Sequence, residues 1–175
     1  MPLSRPAPRQ LIHTRSIRVE GYQRDDGLWD IEASLIDTKT YSFANQDRGG
    51  IRAGEPVHHM LVRLTLDDRM LVHQAETSTE AAPFFCCPDI NPAFSELAGL
   101  SIKSGWRQEV LTRFGRVRGC THIVDLLVGP IAQTAHQTIA AARLRRHGQK
   151  TFDEYGNQPG QYVNWHPHLK SYALA

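Results

Sequence analysis

The stretch GYQRDDGLWDIEASL, residues 21–35, decides the fold of this chain. Its second half alternates polar residues with four apolar ones: Trp29, Ile31, Ala33 and Leu35. A period of two is typical of a β-strand that buries one face. The Asp-Asp-Gly at 25–27 supplies a glycine for a tight turn before this strand. The stretch therefore predicts an antiparallel hairpin.

Similar patterns on both sides of this stretch predict a four-stranded antiparallel meander. We expect strands over residues 15–24, 28–43, 57–66 and 70–79. The apolar side chains change parity after Leu35, and this change predicts a β-bulge near Leu35 and Ile36.

Helical patterns follow the strands. Asn91 is a candidate N-cap for a short helix that ends at Gly99, and Ser104 for a second helix that ends at Gly115. A long third helix is predicted over residues 121–146, with a kink at Pro130. Strands followed by helices indicate an α+β fold, with the three helices packed on one face of the sheet.

The length of 175 residues fits one domain. The proline-rich residues 1–14 predict an irregular lead-in, and residues 15–147 the α+β domain. Residues 148–175 predict an extended aromatic tail, which lies on the domain or forms a homodimer contact with a neighbouring subunit.

Charge and hydropathy exclude several classes of protein. The 20 Lys and Arg residues nearly balance the 18 Asp and Glu residues, so no electrostatic signature of nucleic-acid or membrane binding is present. The apolar runs are too short to cross a bilayer, and the first residues lack the apolar core of a secretory signal. We therefore expect a cytoplasmic protein.

Nine histidines and three cysteines are the unusual part of the composition. Three sites at the ends of predicted elements combine these residues: His58-His59, Cys86-Cys87, and Cys120 with His122. Pairing of the third and fourth strands places the first two sites at one end of the sheet. Imidazole and thiolate are ligands of zinc and iron. Alternatively, the cysteines are small core residues beside hydrogen-bonded histidines.

The remaining histidines are scattered along the chain, and we expect ordinary roles for them. They are His13, His73, His136, His147, His166 and His168.

The first hairpin carries a second group of reactive side chains. They are Tyr22, Arg24, Asp30, Glu32, Asp37 and Lys39. As catalytic groups, Asp30 or His58 would be the general base, while Tyr22, Arg24 or Lys39 would stabilise an oxyanion. Alternatively, these side chains only keep a strand surface soluble.

Several motifs occur in order and resemble a known bacterial family. They are GYQRDDGLWDIEASLIDTKTY, RAGEPVHHMLVRLTLDD, the Cys87-Pro88 pair, LAGLSIKSGW and GCTHIVDLL. Together they resemble domain-of-unknown-function family 2889 over about residues 15–140. The resemblance favours the motif residues His58, Cys87, Cys120 and His122 as metal ligands, over His59 and Cys86.

A more distant likeness concerns motif order. A ligand at the start of one strand, a cysteine after the next and a Gly-Cys at a helix start resemble NifU-type iron–sulfur scaffold proteins, which carry cysteine at all three positions. His58 replaces the first cysteine here. The likeness implies zinc or iron on a similar framework.

Three functions are compatible with these patterns. The first is an enzyme that acts on a small organic molecule, such as a catabolic intermediate, by lyase-type proton transfer. No nucleotide, flavin or pyridoxal site is predicted. The alternatives are a non-catalytic zinc, iron or iron–sulfur scaffold, and an interaction module that uses the tail.

Overall fold

The computed structural model describes residues 3–146, and its first half is one antiparallel sheet. The predicted meander is confirmed, because the strands lie in the order β1-β2-β3-β4. Their bounds are β1 His13–Gln23, β2 Trp29–Lys39, β3 Pro56–Leu66 and β4 Val72–Ala81. The predicted tail lies outside the described residues.

The core lies between one face of this sheet and the helices. The inward side chains of β2 alternate as predicted, and those of β3 continue the same apolar surface with Met60, Val62 and Leu64. The helices are α1 Trp106–Phe114, α2 Thr121–Leu126 and α3 Ala132–Arg146. They contribute Val110, Ile123, Leu126 and Ile139 to the core, which confirms the α+β class.

The predicted bulge at Leu35-Ile36 is wrong in position. Alternation continues one step further, and Asp37 is 2% exposed on the core face. The register shift against β3 falls between Asp37 and Thr38 instead. A carboxylate can occupy this inward position because donors from neighbouring strands bind it, and the apolar pattern alone does not predict them.

The segment after β4 begins earlier than predicted. It is a 3₁₀ helix, Cys87–Leu97, with Pro88 in its first turn. Asn91 therefore lies inside this helix and does not cap it. Its Oδ1 accepts a hydrogen bond of 3.0 Å from Thr79 Oγ1, and its carbonyl accepts one of 3.1 Å from Thr77. Asn91 ties the segment to β4.

The remaining helix boundaries differ only slightly from the predictions. Gly105, with φ of 92°, occupies the N-cap of α1 instead of Ser104. The predicted long helix is α2 and α3 joined by a π-helical turn, Leu127–Ile131, which contains Pro130. Proline has no N–H to donate to the helix. At the position of the predicted kink, the backbone hydrogen bonds therefore change from the α-helical to the wider π-helical spacing. No helix in residues 3–146 is long and apolar enough to cross a membrane.

Candidate functional site

Three polar residues lie side by side across three strands. In the register of the sheet, Arg15 of β1 is opposite Asp37 of β2, and Asp37 is opposite His58 of β3. Directly opposed residues project to the same face of a sheet. The row therefore lies on the core face, at the end of the sheet where β2 ends and β3 begins.

Asp37 is the centre of this row. Arg15 donates from Nε to Oδ1 and from Nη2 to Oδ2, both over 2.8 Å. A ring nitrogen of His13 lies 3.1 Å from Oδ1, and Nδ1 of His58 lies 3.1 Å from Oδ2. A carboxylate offers about four lone-pair positions. All of them are used, so Asp37 holds the three side chains in place.

The charge of Asp37 is maintained despite its burial. Burial opposes ionisation, but the hydrogen bonds and charge of Arg15 outweigh that effect, with further hydrogen bonds from His13 and His58. The pKa of Asp37 is consequently held far below its usual value. The same contact raises the pKa of Arg15. The pair is therefore a carboxylate and a guanidinium at neutral pH.

His122 completes the cluster from the first turn of α2. Its ring centroid lies 3.9 Å from that of His58, with 33° between the ring planes. Its Nε2 lies 3.7 Å from Oδ2 of Asp37, and its Nδ1 lies 3.7 Å from Sγ of Cys120. The start of α2 thus brings a second imidazole and a thiol to the Asp37 row.

Both imidazoles of this stack favour the neutral form. Burial lowers the pKa of His58, although the hydrogen bond and charge of Asp37 act in the opposite direction. Burial also lowers the pKa of His122, and the adjacent His58 adds to that effect. Neutral imidazole is the form that accepts protons and binds metals.

The predicted metal ligands are only partly brought together. His58, His122 and Cys120 form a contiguous group. Cys87 is the fourth predicted ligand. Burial raises the pKa of its thiol, and the charges of Cys86 and Cys120 add to this effect. Among residues 3–146, however, the tightest set of candidate ligand atoms is that of Asp37, His58 and His122, which all lie within 4.8 Å of one another.

Three members of the hairpin group, Tyr22, Arg24 and Asp30, lie at the other end of the sheet. Asp30 precedes Asp37 by seven residues on β2, about 23 Å along an extended strand. Arg24 binds Asp26 and Asp30 there. Tyr22, opposite Asp30 in the register, is 44% exposed. Within one chain, these residues are not brought to His58.

Of the predicted hairpin residues, Lys39 lies at the His58 end, together with Asp37. It lies opposite His13 in the register, and its ammonium lies 5.3 Å from the centroid of the Tyr41 ring.

Two loops leave the sheet at this end and are bonded to each other. Asn45 donates to the carbonyl of Pro83 over 3.0 Å, and the backbone N–H of Phe85 donates to Asp47 over 2.8 Å. Phe84 and Phe85 are 58% and 73% exposed. Apolar and polar surface therefore adjoin at the loops of the His58 end.

Sequence reasoning did not place Arg15, Asp37 or His13 in the cluster. It groups Asp37 with the hairpin side chains, although the odd number of this residue continues the inward series of Trp29 and Leu35. It gives His13 an ordinary role, but His13 precedes Arg15 by two residues on β1 and thus shares its face. The period of two along β1 and β2 therefore indicates that Asp37 and His13 lie on the core face.

Comparison with known proteins identifies a family. No curated protein and no solved structure matches the chain. The model of a family described as "Protein of unknown function (DUF2889)" matches residues 13–137. The matched range contains the whole Asp37 cluster and most of the described fold. The chain belongs to this family, DUF2889.

Proposed function

We propose that this protein is an enzyme that moves a proton on a small organic molecule, in a lyase-type reaction that needs no organic cofactor. His58 is its general base. The hydrogen bond between Nδ1 of His58 and the buried carboxylate of Asp37 carries the proposal. An imidazole oriented by a carboxylate is a recurring arrangement in enzymes that transfer protons.

The carboxylate determines which nitrogen of His58 is free. Ionised Asp37 only accepts hydrogen bonds, so the proton of neutral His58 resides on Nδ1. Nε2 then carries the lone pair, and no group in the described part of the chain forms a hydrogen bond with it. Nε2 is therefore the atom that takes the proton from the substrate.

Proton uptake converts His58 into an imidazolium beside Asp37. The negative charge of Asp37 stabilises this state, while Arg15 and His13 keep the carboxylate in place. In a lyase-type step on a β-hydroxy carbonyl compound, Nε2 removes the hydroxyl proton, the electron pair of that O–H bond forms a new carbonyl group, and the neighbouring C–C bond breaks. The electron pair of the broken C–C bond then moves to an electron-accepting group, where Lys39 at the same sheet end supports the negative charge.

Proton exchange on simple model compounds tests this proposal. Small β-hydroxy and keto acids are incubated with the protein in D₂O, and ¹H NMR follows deuterium uptake and bond cleavage. A compound that reacts should do so at least about 100-fold more slowly with His58→Gln. His59→Gln is the matched control, since His59 adjoins His58 on β3 and should retain activity. Equal loss in both variants would contradict the assignment of His58.

A metal centre is the second candidate function. The clustered ligand atoms of Asp37, His58 and His122 favour it, because two imidazoles and one carboxylate suit zinc and iron. Binding would require Asp37 to release one of its present donors.

Elemental analysis of the purified protein separates the two candidates. Stoichiometric zinc or iron that is lost in His58→Gln and His122→Gln would support the metal centre. Loss in Cys87→Ala and Cys120→Ala would assign the metal to the cysteine-containing set instead. A metal-free protein that still catalyses proton exchange would leave the acid–base enzyme.

A further inference from the structure

In the part of the chain that the structure describes, the outer edge of β1 has free backbone donors and acceptors. Backbone hydrogen bonds join Thr40 to Ile12 and Arg24 to Leu28, at 3.2 and 2.9 Å. Even-numbered residues of β1 therefore bond to β2, and the odd-numbered residues 13–23 direct their N–H and C=O groups outward. Within the described part of the chain, no strand pairs with this edge.

The other edge of the sheet, β4, is partly covered by the chain itself. At the start of β4, Val72 exchanges backbone hydrogen bonds with Gly99 and Leu100, both at 2.8 Å. In contrast, most residues of β1 are exposed along the full length of the strand. Ile17 is 44% exposed although it lies opposite the buried Leu35, on the core face. A long uncovered edge with an exposed apolar residue is a surface for strand addition.

We propose that a second copy of this chain pairs with β1 in antiparallel fashion, about a two-fold axis at Val19. The two sheets then form one continuous eight-stranded sheet. This interface goes beyond the proposed function and uses a surface other than the tail.

Charge complementarity selects the register. With the axis at Val19, Arg18 lies opposite Glu20 of the second copy, and Glu20 lies opposite its Arg18. Within one copy, Nη2 of Arg18 donates to the carboxylate of Glu20 over 2.8 Å. An axis at Arg18 would oppose two arginines, and an axis at Glu20 two glutamates, which is destabilising.

The same register would also reduce the exposure of Ile17. Ile17 then lies opposite Gly21 of the second copy. Thr138 of α3 lies directly over Gly21, since a Cβ added at Gly21 would be 2.0 Å from Thr138 Oγ1. The α3 helix of the second copy therefore adjoins Ile17 and reduces its contact with water.

The pairing also changes the surroundings of the candidate site. Gln23 of the second copy lies opposite Arg15, on the face that carries His13 and Asp37. The turn that follows Gln23 leads to Arg24 and Asp30. The hairpin end of one copy is therefore placed beside the Asp37 cluster of the other.

The mass of the full-length protein in solution tests this interface. Sedimentation or light scattering should give a dimer, and Arg18→Glu and Glu20→Arg should each weaken dimerisation about tenfold or more because like charges are then opposed. The double variant Arg18→Glu/Glu20→Arg restores both opposite-charge pairs and should recover the dimer. Glu76→Arg is the control, because Glu76 is exposed on β4, away from this edge.

A cross-link locates the axis. Val19→Cys should form a disulfide between two copies under mild oxidation, since residues on the axis oppose themselves. Glu76→Cys should not cross-link beyond the level of the unmodified protein. A monomeric mass of the full chain, or a dimer that both single charge variants and Val19→Cys leave unchanged, would overturn the proposal.

Discussion

The guanidinium of Arg15 holds the carboxylate of Asp37 through two parallel hydrogen bonds of 2.8 Å each. The two side chains differ in exposure, since Asp37 is 3% exposed and Arg15 is 37% exposed. Arg15 thus neutralises a charge that water does not reach, while it remains partly hydrated itself. This planar, bidentate geometry is specific to arginine.

Replacement of Arg15 should strongly destabilise the fold. Arg15→Met leaves the buried Asp37 without its main cation, and we expect a loss of about 3 kcal/mol in the free energy of unfolding. Arg63→Met is the control, because Arg63 binds Glu32 and Glu76 at the exposed face and should cost at most about 1 kcal/mol. Urea denaturation measures both. Equal costs would show that the Asp37 pair does not support the fold.

Stability should decrease on acidification in two stages. Burial lowers the pKa of His58, His122 and His136 below 6.5. As the pH falls below about 6.5, the unfolded chain therefore takes up protons before the folded chain, and the free energy of unfolding decreases. Asp37 adds stability that is complete above pH 3.8 and is lost as the pH falls further.

Urea denaturation at pH 8.0, 6.5 and 5.5 measures the first stage. A double variant, His58→Gln/His122→Gln, should show a smaller decrease between pH 8.0 and 5.5, while the half-buried His136 still contributes to the decrease. A double variant with the same pH dependence as the unmodified protein would contradict the assignment.

The rate of proton transfer should depend on the ionisation of His58. For a substrate identified by deuterium exchange, kcat/KM should rise with pH through an apparent pKa below 6.5 and then level off, because the base must be neutral. Asp37→Asn should reduce kcat by about 10²- to 10⁴-fold, since the orientation of the ring is lost.

The same variant should also shift the pH profile. Asp37 raises the pKa of His58, so Asp37→Asn should move the acid limb of the profile to lower pH. A purely structural role for Asp37 would reduce the rate without this shift.

The close approach of α3 to β1 predicts a sensitive position. Gly21→Ala places a Cβ 2.8 Å from Cβ of Thr138, which is too close for a new rotamer of Thr138 to relieve. We expect a destabilisation of about 1–3 kcal/mol. Thr138→Gly should recover part of the loss in the Gly21→Ala background, as a double-mutant cycle in urea would measure. Independent, additive effects would contradict direct contact.

The strand period predicted most of the sheet, because burial on one face imposes a period of two on β2. It did not predict that Asp37 continues the inward series. The stability of a buried carboxylate depends on Arg15 and His58, which lie 22 residues before it and 21 after it. Such distant partners become evident only once the register is known.

The helix starts show the limits of local signals. Asn91 has the side chain of an N-cap, but its Oδ1 and carbonyl bind Thr79 and Thr77 of β4 instead. Tertiary hydrogen bonds therefore replaced a local capping bond. The proximity of His122 to His58 likewise depends on the packing of α2 against the sheet, which periodicity does not specify.

The buried charge also selects among alternative strand pairings. A slip of two residues between β1 and β2 would keep every apolar side chain on the core face, so the hydrophobic pattern does not exclude it. Such a slip would place Asp37 opposite Ile17 or His13 instead of Arg15, and leave a buried carboxylate without its cation. The row of Arg15, Asp37 and His58 therefore helps the chain to fold into one sheet alignment.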